Sequence, residues 1–229
     1  KMLYLRDAQM ASENISKEYV NDRNIDYKLQ PGDNLYIRFI NSIDERGSAA
    51  LTGDFSSTNR NYMSSDASIY LQSYTLDEEG CIELPLTGKI ELKNLTVDQA
   101  KEKMQTEINK FVNQTTLIVK LSNFNLTVLG EVARPGTYKI YQTQINLFEA
   151  VATAGNMTSF AKNNEVKIIR QTDNGSEIVT VDMGQADILE SPYYYLKPND
   201  VIYVEPLKIK QWGFTTFPYS TVISIVTLG

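Results

Sequence analysis

Histidine is absent from all 229 residues, and cysteine occurs once, as Cys81. The first absence removes Ser/His/Asp and Cys/His nucleophile pairings, the commonest zinc ligand and the commonest general base near neutral pH. The second removes any intrachain disulfide. Cys81 stands in the apolar-alternating run Gly80-Cys81-Ile82-Glu83-Leu84-Pro85 and is expected to be a buried, inert small hydrophobe rather than a reactive thiol. No metal and no cofactor are expected. No run of about 18 apolar residues occurs, so an ordinary single-pass membrane helix is not expected. The chain starts at Lys1 without a basic-then-apolar segment or a small-residue cleavage site, as a mature or trimmed chain would. Positive charge is outweighed, 22 Lys and Arg against 28 Asp and Glu. The net charge of −6 lacks the footprint of a nucleic-acid binder and gives no bulk attraction to anionic lipid.

What remains is the composition of a folded protein. A hydrophobic share of 42% argues against global disorder, and 229 residues suffice for one large domain or two small ones. The 14 tyrosines favour strands.

Residues 1–26 are polar and mixed, with Met2, Leu3, Tyr4 and Leu5 as their apolar cluster, and read as an extended arm. In the segment from Tyr27 to Phe39, Pro31-Gly32-Asp33 is a turn and Leu35, Ile37 and Phe39 alternate along a strand. Residues 44–68 are rich in Ser, Asn, Asp and Gly and read as a long surface insertion. A strand pair is expected over 69–92, with Asp77-Glu78-Glu79-Gly80 as an acidic turn and a tight bend from Leu86 through Gly88. Thr96 and Gln99 have capping-box spacing, and Val97, Ala100, Met104, Ile108 and Phe111 share one helical face, read as core rather than as a ligand box. Leu117, Val119 and Leu121 make the next strand.

A second module begins with the alternation Phe124, Leu126, Val128, closed by Gly130 and the turn Pro135-Gly136. Asn146 and Glu149 cap a short helix that Gly155 stops. Val166, Ile168 and Arg170 form a strand, and Asp173-Asn174-Gly175 is a hairpin signal before Ile178–Val181. Val201, Tyr203 and Pro206 close the module. Leu29-Gln-Pro31-Gly-Asp33 is echoed by Leu196-Lys-Pro198-Asn-Asp200, each before an apolar-Tyr-apolar strand. The echo is either a trace of duplication or a turn that β-rich chains reuse. The fold class is α+β: two modules, 27–122 and 123–206, each a sheet carrying a helix.

Two clusters invite chemistry. The run Asp77, Glu78, Glu79 supplies carboxylates, but glycoside hydrolysis needs two that face each other across a bond, and an acidic run before glycine is normally a solvated turn. The protein is not expected to be an enzyme. Tyr193-Tyr194-Tyr195 suggests a sugar-stacking strip, yet consecutive strand residues face opposite sides, so packing or an interface is expected instead.

The motifs also carry a resemblance. Tyr27-x-Leu29-x-Pro31-Gly32-Asp33, then Gly80-x-Ile82-x-Leu84-Pro85-x-x-Gly88-x-Ile90 and the Leu95-Thr96-x-x-Gln99-Ala100 helix resemble the polysaccharide export sequence domain. Gly130-Glu131-Val132-x-x-Pro135-Gly136-x-Tyr138, Ala154-Gly155 and Leu196-x-Pro198-x-Asp200-Val201-Ile202-Tyr203 resemble a soluble-ligand-binding β-grasp (SLBB) module. Their order is that of Wza-like outer-membrane polysaccharide export proteins. The chain differs in having one β-grasp module where the archetype has more, and in its long 44–68 insertion.

The resemblance implies a homo-oligomeric ring in the bacterial outer membrane, with its main domains in the periplasm. It also implies an N-terminal lipid anchor on a cysteine before Lys1. The substrate would be capsular polysaccharide or exopolysaccharide, and the partner an inner-membrane co-polymerase or tyrosine kinase. The alternative is a periplasmic β-grasp module that binds an oligosaccharide or another soluble ligand without forming a pore.

The last residues, 207–229, fit the first reading. No acidic residue follows Glu205. Lys208 and Lys210 precede the aromatics Trp212, Phe214, Phe217 and Tyr219, then the aliphatics Val222, Ile223, Ile225, Val226 and Leu228, the layout of a segment meeting outer-membrane lipid. Residues 220–229 span only about 15 Å as a helix, half of a hydrocarbon core of about 30 Å. Such a helix therefore starts near Pro218 and continues past Gly229, or the segment only dips into the interface. The competing reading is a strand or tail packed on the second module.

Overall fold

The structure, a computed structural model, describes residues 4–5, 18–21, 27–41, 71–112, 115–172 and 175–208. The expected insertion at 44–68, the Asp173-Asn174 turn and the aromatic–aliphatic membrane segment beyond Lys208 lie outside these residues. Contacts divide the chain into a unit over Asp26–Phe124 and a second that joins Lys1–Ile25 to Asn125–Gly229.

In the Asp26–Phe124 unit, β1 (Asn34–Asn41) is the centre of an antiparallel sheet, flanked by β2 (Ser73–Thr75) and β5 (Thr115–Leu121). Leu35, Ile37 and Phe39 point inward as their alternation predicts. The expected strand pair over 69–92 divides differently. β2 pairs with β1, whereas β3 (Cys81–Leu84) and β4 (Gly88–Glu91) form a separate hairpin.

Helix α1 (Val97–Ile108) begins at the Thr96–Gln99 capping box, where each side chain accepts the other's backbone N–H, a cap worth about 1 kcal/mol. Its Ala100, Met104 and Ile108 are buried against Leu29, Ile82, Leu92 and Leu117. Gln105 ties the helix to β5: its amide nitrogen donates to Thr115 O at 2.6 Å and its oxygen accepts from Leu117 N at 3.0 Å. Phe111 is not on the helical face as expected. The helix ends at Asn109, and Phe111 lies in the following turn, 60% exposed.

In the second unit, β6 (Asn125–Gly130) and β7 (Gly136–Lys139) form a hairpin, followed by helix α2 (Leu147–Thr153) and a second hairpin of β8 (Ala161–Thr172) and β9 (Gly175–Val181). A short 3-10 helix at Ala186–Glu190 precedes β10 (Val201–Pro206), which inserts between β6 and β8. The order is β7-β6-β10-β8-β9, with β10 parallel to β6 and the other pairs antiparallel. This mixed five-stranded sheet is the β-grasp arrangement. Leu126, Val128, Val166, Ile168, Ile202 and Val204 on its inner face and Leu147, Ala150 and Val151 of α2 are all buried. Both units are thus α+β.

Among the described residues no helix is long and apolar enough to cross a membrane. A C-terminal helix is therefore not part of the described fold, which ends with Leu207 and Lys208 after β10.

Candidate functional site

The echoed motifs fold into the same turn twice. Asp33 N donates to Gln30 O at 3.1 Å while Gln30 N donates to Asp33 Oδ2 at 2.9 Å. In the second unit Asp200 N donates to Lys197 O at 3.2 Å and Lys197 N to Asp200 Oδ2 at 2.8 Å. Pro31 and Pro198 preset φ at the second turn position. Gly32 (φ 89°) and Asn199 (φ 66°) take the left-handed third, the requirement of a type II turn. Leu29 and Leu196, which enter the turns, are both fully buried.

The two buried carboxylates are satisfied by different means. Asp200 receives Arg170 Nε at 3.0 Å and Nη2 at 2.7 Å, a bidentate buried pair. Asp33 receives the Tyr27 hydroxyl and, at 3.5 Å, Asn123 Nδ2, and no cation among the described residues. Burial pushes the Asp33 carboxyl upward despite its hydrogen bonds, and burial beside Asp33 pushes the Tyr27 hydroxyl upward as well.

The other motif residues shape backbone. Gly80 N closes the acidic turn on Asp77 O at 2.8 Å. Pro85 lies in the β3–β4 loop, and Gly88 pairs with Leu84 at the base of that hairpin. Pro135 precedes Gly136, the first residue of β7, which pairs with Val128. Gly130 (φ 88°) lies against β10 so closely that a Cβ there would stand 2.0 Å from Val204 O.

The acidic turn gathers Asp77, Glu79 and Cys81, whose ligand atoms lie within 4.8 Å of one another. A cation already stands there: Lys89 Nζ is 3.1 Å from Asp77 and 3.8 Å from Glu79. Asp77 Oδ1 is engaged by the backbone of Glu79 and Cys81. Cys81 is half-buried, not buried as expected, because the alternation that turns Ile82 and Leu84 inward turns it outward. Desolvation and the neighbouring carboxylates hold its thiol above the usual value, which suppresses the thiolate.

The Tyr193–Tyr195 run corrects the strand argument. It lies in an irregular segment after the 3-10 helix, with only an isolated bridge from Tyr195 to Asn146. Tyr193 donates its hydroxyl to Glu177 and lies under the Arg170 guanidinium, 5.1 Å from ring centroid to Cζ. Tyr194 and Tyr195 meet edge to face at 4.9 Å, and Tyr194 continues to Phe148 at 6.3 Å. Edge-on rings do not make a flat sugar platform.

Phe148 opens onto a cleft of about 500 Å³ beside α2, lined by Val151, Gly155, Asn156 and Met183 and closed on one side by Tyr4. The cleft is mainly apolar, suited to hold a planar or aliphatic group rather than to transfer protons. Its Phe148 and Asn156, and the buried Arg170–Asp200 pair, were not singled out from sequence. An arginine at the inward position of the alternation Val166, Ile168, Arg170 was the available signal, since a buried guanidinium demands a carboxylate.

The family model described as polysaccharide biosynthesis/export protein matches residues 21–122, and the SLBB domain model matches residues 125–204. The chain belongs to the Wza-like polysaccharide biosynthesis/export family. The export domain coincides with the unit that holds the Asp33 turn, and the SLBB domain with the β-grasp sheet that holds Asp200 and the cleft. In this export protein the motif residues are thus turn and packing positions within each domain.

Proposed function

We propose that this export protein is one subunit of an oligomeric channel that carries capsular polysaccharide or exopolysaccharide through the bacterial outer membrane. The observation that carries the reading is the succession, in one chain, of an export domain and an SLBB domain. The export and SLBB domains stand in the periplasm, a lipid anchor precedes Lys1, and the aromatic–aliphatic segment of 207–229 meets the membrane. An inner-membrane co-polymerase or tyrosine kinase supplies the polymer. The subunit performs no catalysis and needs no cofactor. A translocated sugar chain requires a wide, hydrated, weakly binding path, which a ring of copies provides and a tight pocket does not. Among the described residues β7 and β9 are the edge strands of the SLBB sheet, a place where a neighbouring copy could add, and a head-to-tail contact closes into a ring when its rotation allows.

Electron microscopy of detergent-extracted full-length protein tests this. A closed ring is the expected result, and a strict monomer at high concentration would sink it. Deletion of 212–229 tests the membrane segment: both units should stay folded, and both liposome insertion and capsule display should be lost. A deletion variant that still inserts and displays capsule overturns that assignment.

The cleft favours a second reading, a periplasmic β-grasp module that binds an oligosaccharide or another soluble ligand without forming a pore. Saturable oligosaccharide binding by a full-length protein that stays monomeric would replace the channel with this reading.

A further inference from the structure

One wall of the cleft beside α2 comes from the other end of the sequence. Tyr4 and Leu5 precede the export domain, yet they reach across to the β-grasp unit. The Tyr4 hydroxyl donates to Asn156 Oδ1 at 2.6 Å, its ring meets Phe148 edge to face at 6.0 Å, and Leu5 N donates to Met183 O at 3.3 Å. Burial pushes the Tyr4 hydroxyl upward, so it remains a neutral donor at every physiological pH.

The receiving side is shaped for this contact. Gly155 and Asn156 are consecutive left-handed residues (φ 77° and 73°) in the turn that ends α2, and this turn carries Asn156 to the cleft. Asn156 Oδ1 also accepts Met157 N at 2.8 Å, which holds the amide oxygen toward the tyrosine. Leu5 adopts φ 53°, a conformation leucine rarely takes, and in it the Leu5 N–H donates to Met183 O.

We propose that the surface of Phe148, Asn156 and Met183 at the edge of this cleft is a docking site for the chain's own N-terminal arm, with Tyr4 as the residue it recognises. The arm is thereby fastened to the β-grasp unit although the export unit follows it in sequence. The footprint is small: one hydroxyl bond, one backbone bond and one ring contact. So small a contact opens and closes reversibly, and the loop it closes adds a cost that grows only with the logarithm of chain length. A lipid anchor on that arm, as in the proposed function, would transmit its pull to the β-grasp unit. The docking itself requires neither membrane nor ring, so its failure and the failure of the channel reading are separable.

Amide hydrogen exchange on the full chain tests the proposal. The Leu5 amide should exchange at least tenfold more slowly than its intrinsic rate. Tyr4→Ala should abolish that protection, and Tyr4→Phe, which keeps the ring contact, should retain part of it. Neither variant should alter exchange in the β8 and β10 ladder. A synthetic peptide of residues 1–10 added to the Tyr4→Ala protein should restore protection at 148–156. A Leu5 amide that exchanges at its intrinsic rate in the unmodified chain overturns the proposal. So does protection that survives Tyr4→Ala, or a peptide that leaves 148–156 unchanged.

Discussion

The Tyr27 hydroxyl stands 2.8 and 3.0 Å from the two carboxylate oxygens of Asp33, whereas in the β-grasp unit the guanidinium of Arg170 binds both oxygens of Asp200. One turn, used twice, buries a carboxylate twice. A neutral donor answers the first and a cation the second, and this difference governs how each site responds to pH and mutation.

Asp33 binds its proton more tightly in the folded export unit than in the unfolded chain, because burial raises its value and no cation among the described residues offsets it. Its contribution to stability is fully present below the unfolded carboxyl value of about 3.9 and is lost as pH rises through the raised folded value. Asp33→Asn removes this dependence. Thermal melts of both proteins from about pH 4 upward should therefore diverge in slope and run parallel once the folded value is passed. Curves parallel throughout would show that Asp33 is ionised without penalty.

Asp200→Asn leaves the buried Arg170 guanidinium without its counter-charge, and should cost the β-grasp unit about 3–5 kcal/mol at neutral pH. Asp33→Asn strands no cation among the described residues but turns one acceptor oxygen toward Tyr27, Gln30 or Asn123 into a donor, and should cost less, about 1–3 kcal/mol. Urea unfolding of the two variants measures the contrast; equal losses would mean that Tyr27 and Arg170 play equivalent parts.

Two glycines with nearly the same φ should also part company. At Gly32 a Cβ meets nothing within 4 Å, so Gly32→Val incurs chiefly backbone strain of about 1–3 kcal/mol. At Gly130 even the Cβ of alanine stands 2.0 Å from Val204 O, and β10 must move away from β6. Gly130→Ala should therefore disrupt amide protection along the β6–β10 ladder, while Gly32→Val leaves the β1–β5 ladder intact. A Gly32→Val protein that folds and assembles normally yet exports no polymer would instead place this turn on the polymer's path.

Cys81, the single thiol, gives a direct probe of the acidic turn. With its value raised by desolvation and by Asp77, Glu79 and Glu91, it should alkylate more slowly at pH 8 than a free cysteine. Glu79→Gln removes one exposed carboxylate and should speed the reaction; Lys89→Met removes the cation and should slow it. A rate indifferent to both changes would mean that burial alone controls the thiol.

Local chemistry was legible in the residues. Capping boxes at Thr96–Gln99 and Asn146–Glu149, the glycine stop at Gly155 and the alternation through Leu35, Ile37 and Phe39 all act within a few residues, so the chain alone determined them. The Pro-x-Asp echo was visible too, because a type II turn is itself a local object. Other outcomes depended on what met across the fold. The helix ended before Phe111, and Cys81 turned outward because Ile82 and Leu84 took the core. Tyr193 left any strand to cover Arg170. Only tertiary structure decided that β2 would pair with β1 rather than β3, that Asp200 would find Arg170 while Asp33 found Tyr27, and that Tyr4 would reach Asn156, 152 positions away. Hydrophobic periodicity specifies which face of an element is buried, but it carries no label for the partner; that choice belongs to the packing that satisfies every buried polar group at once.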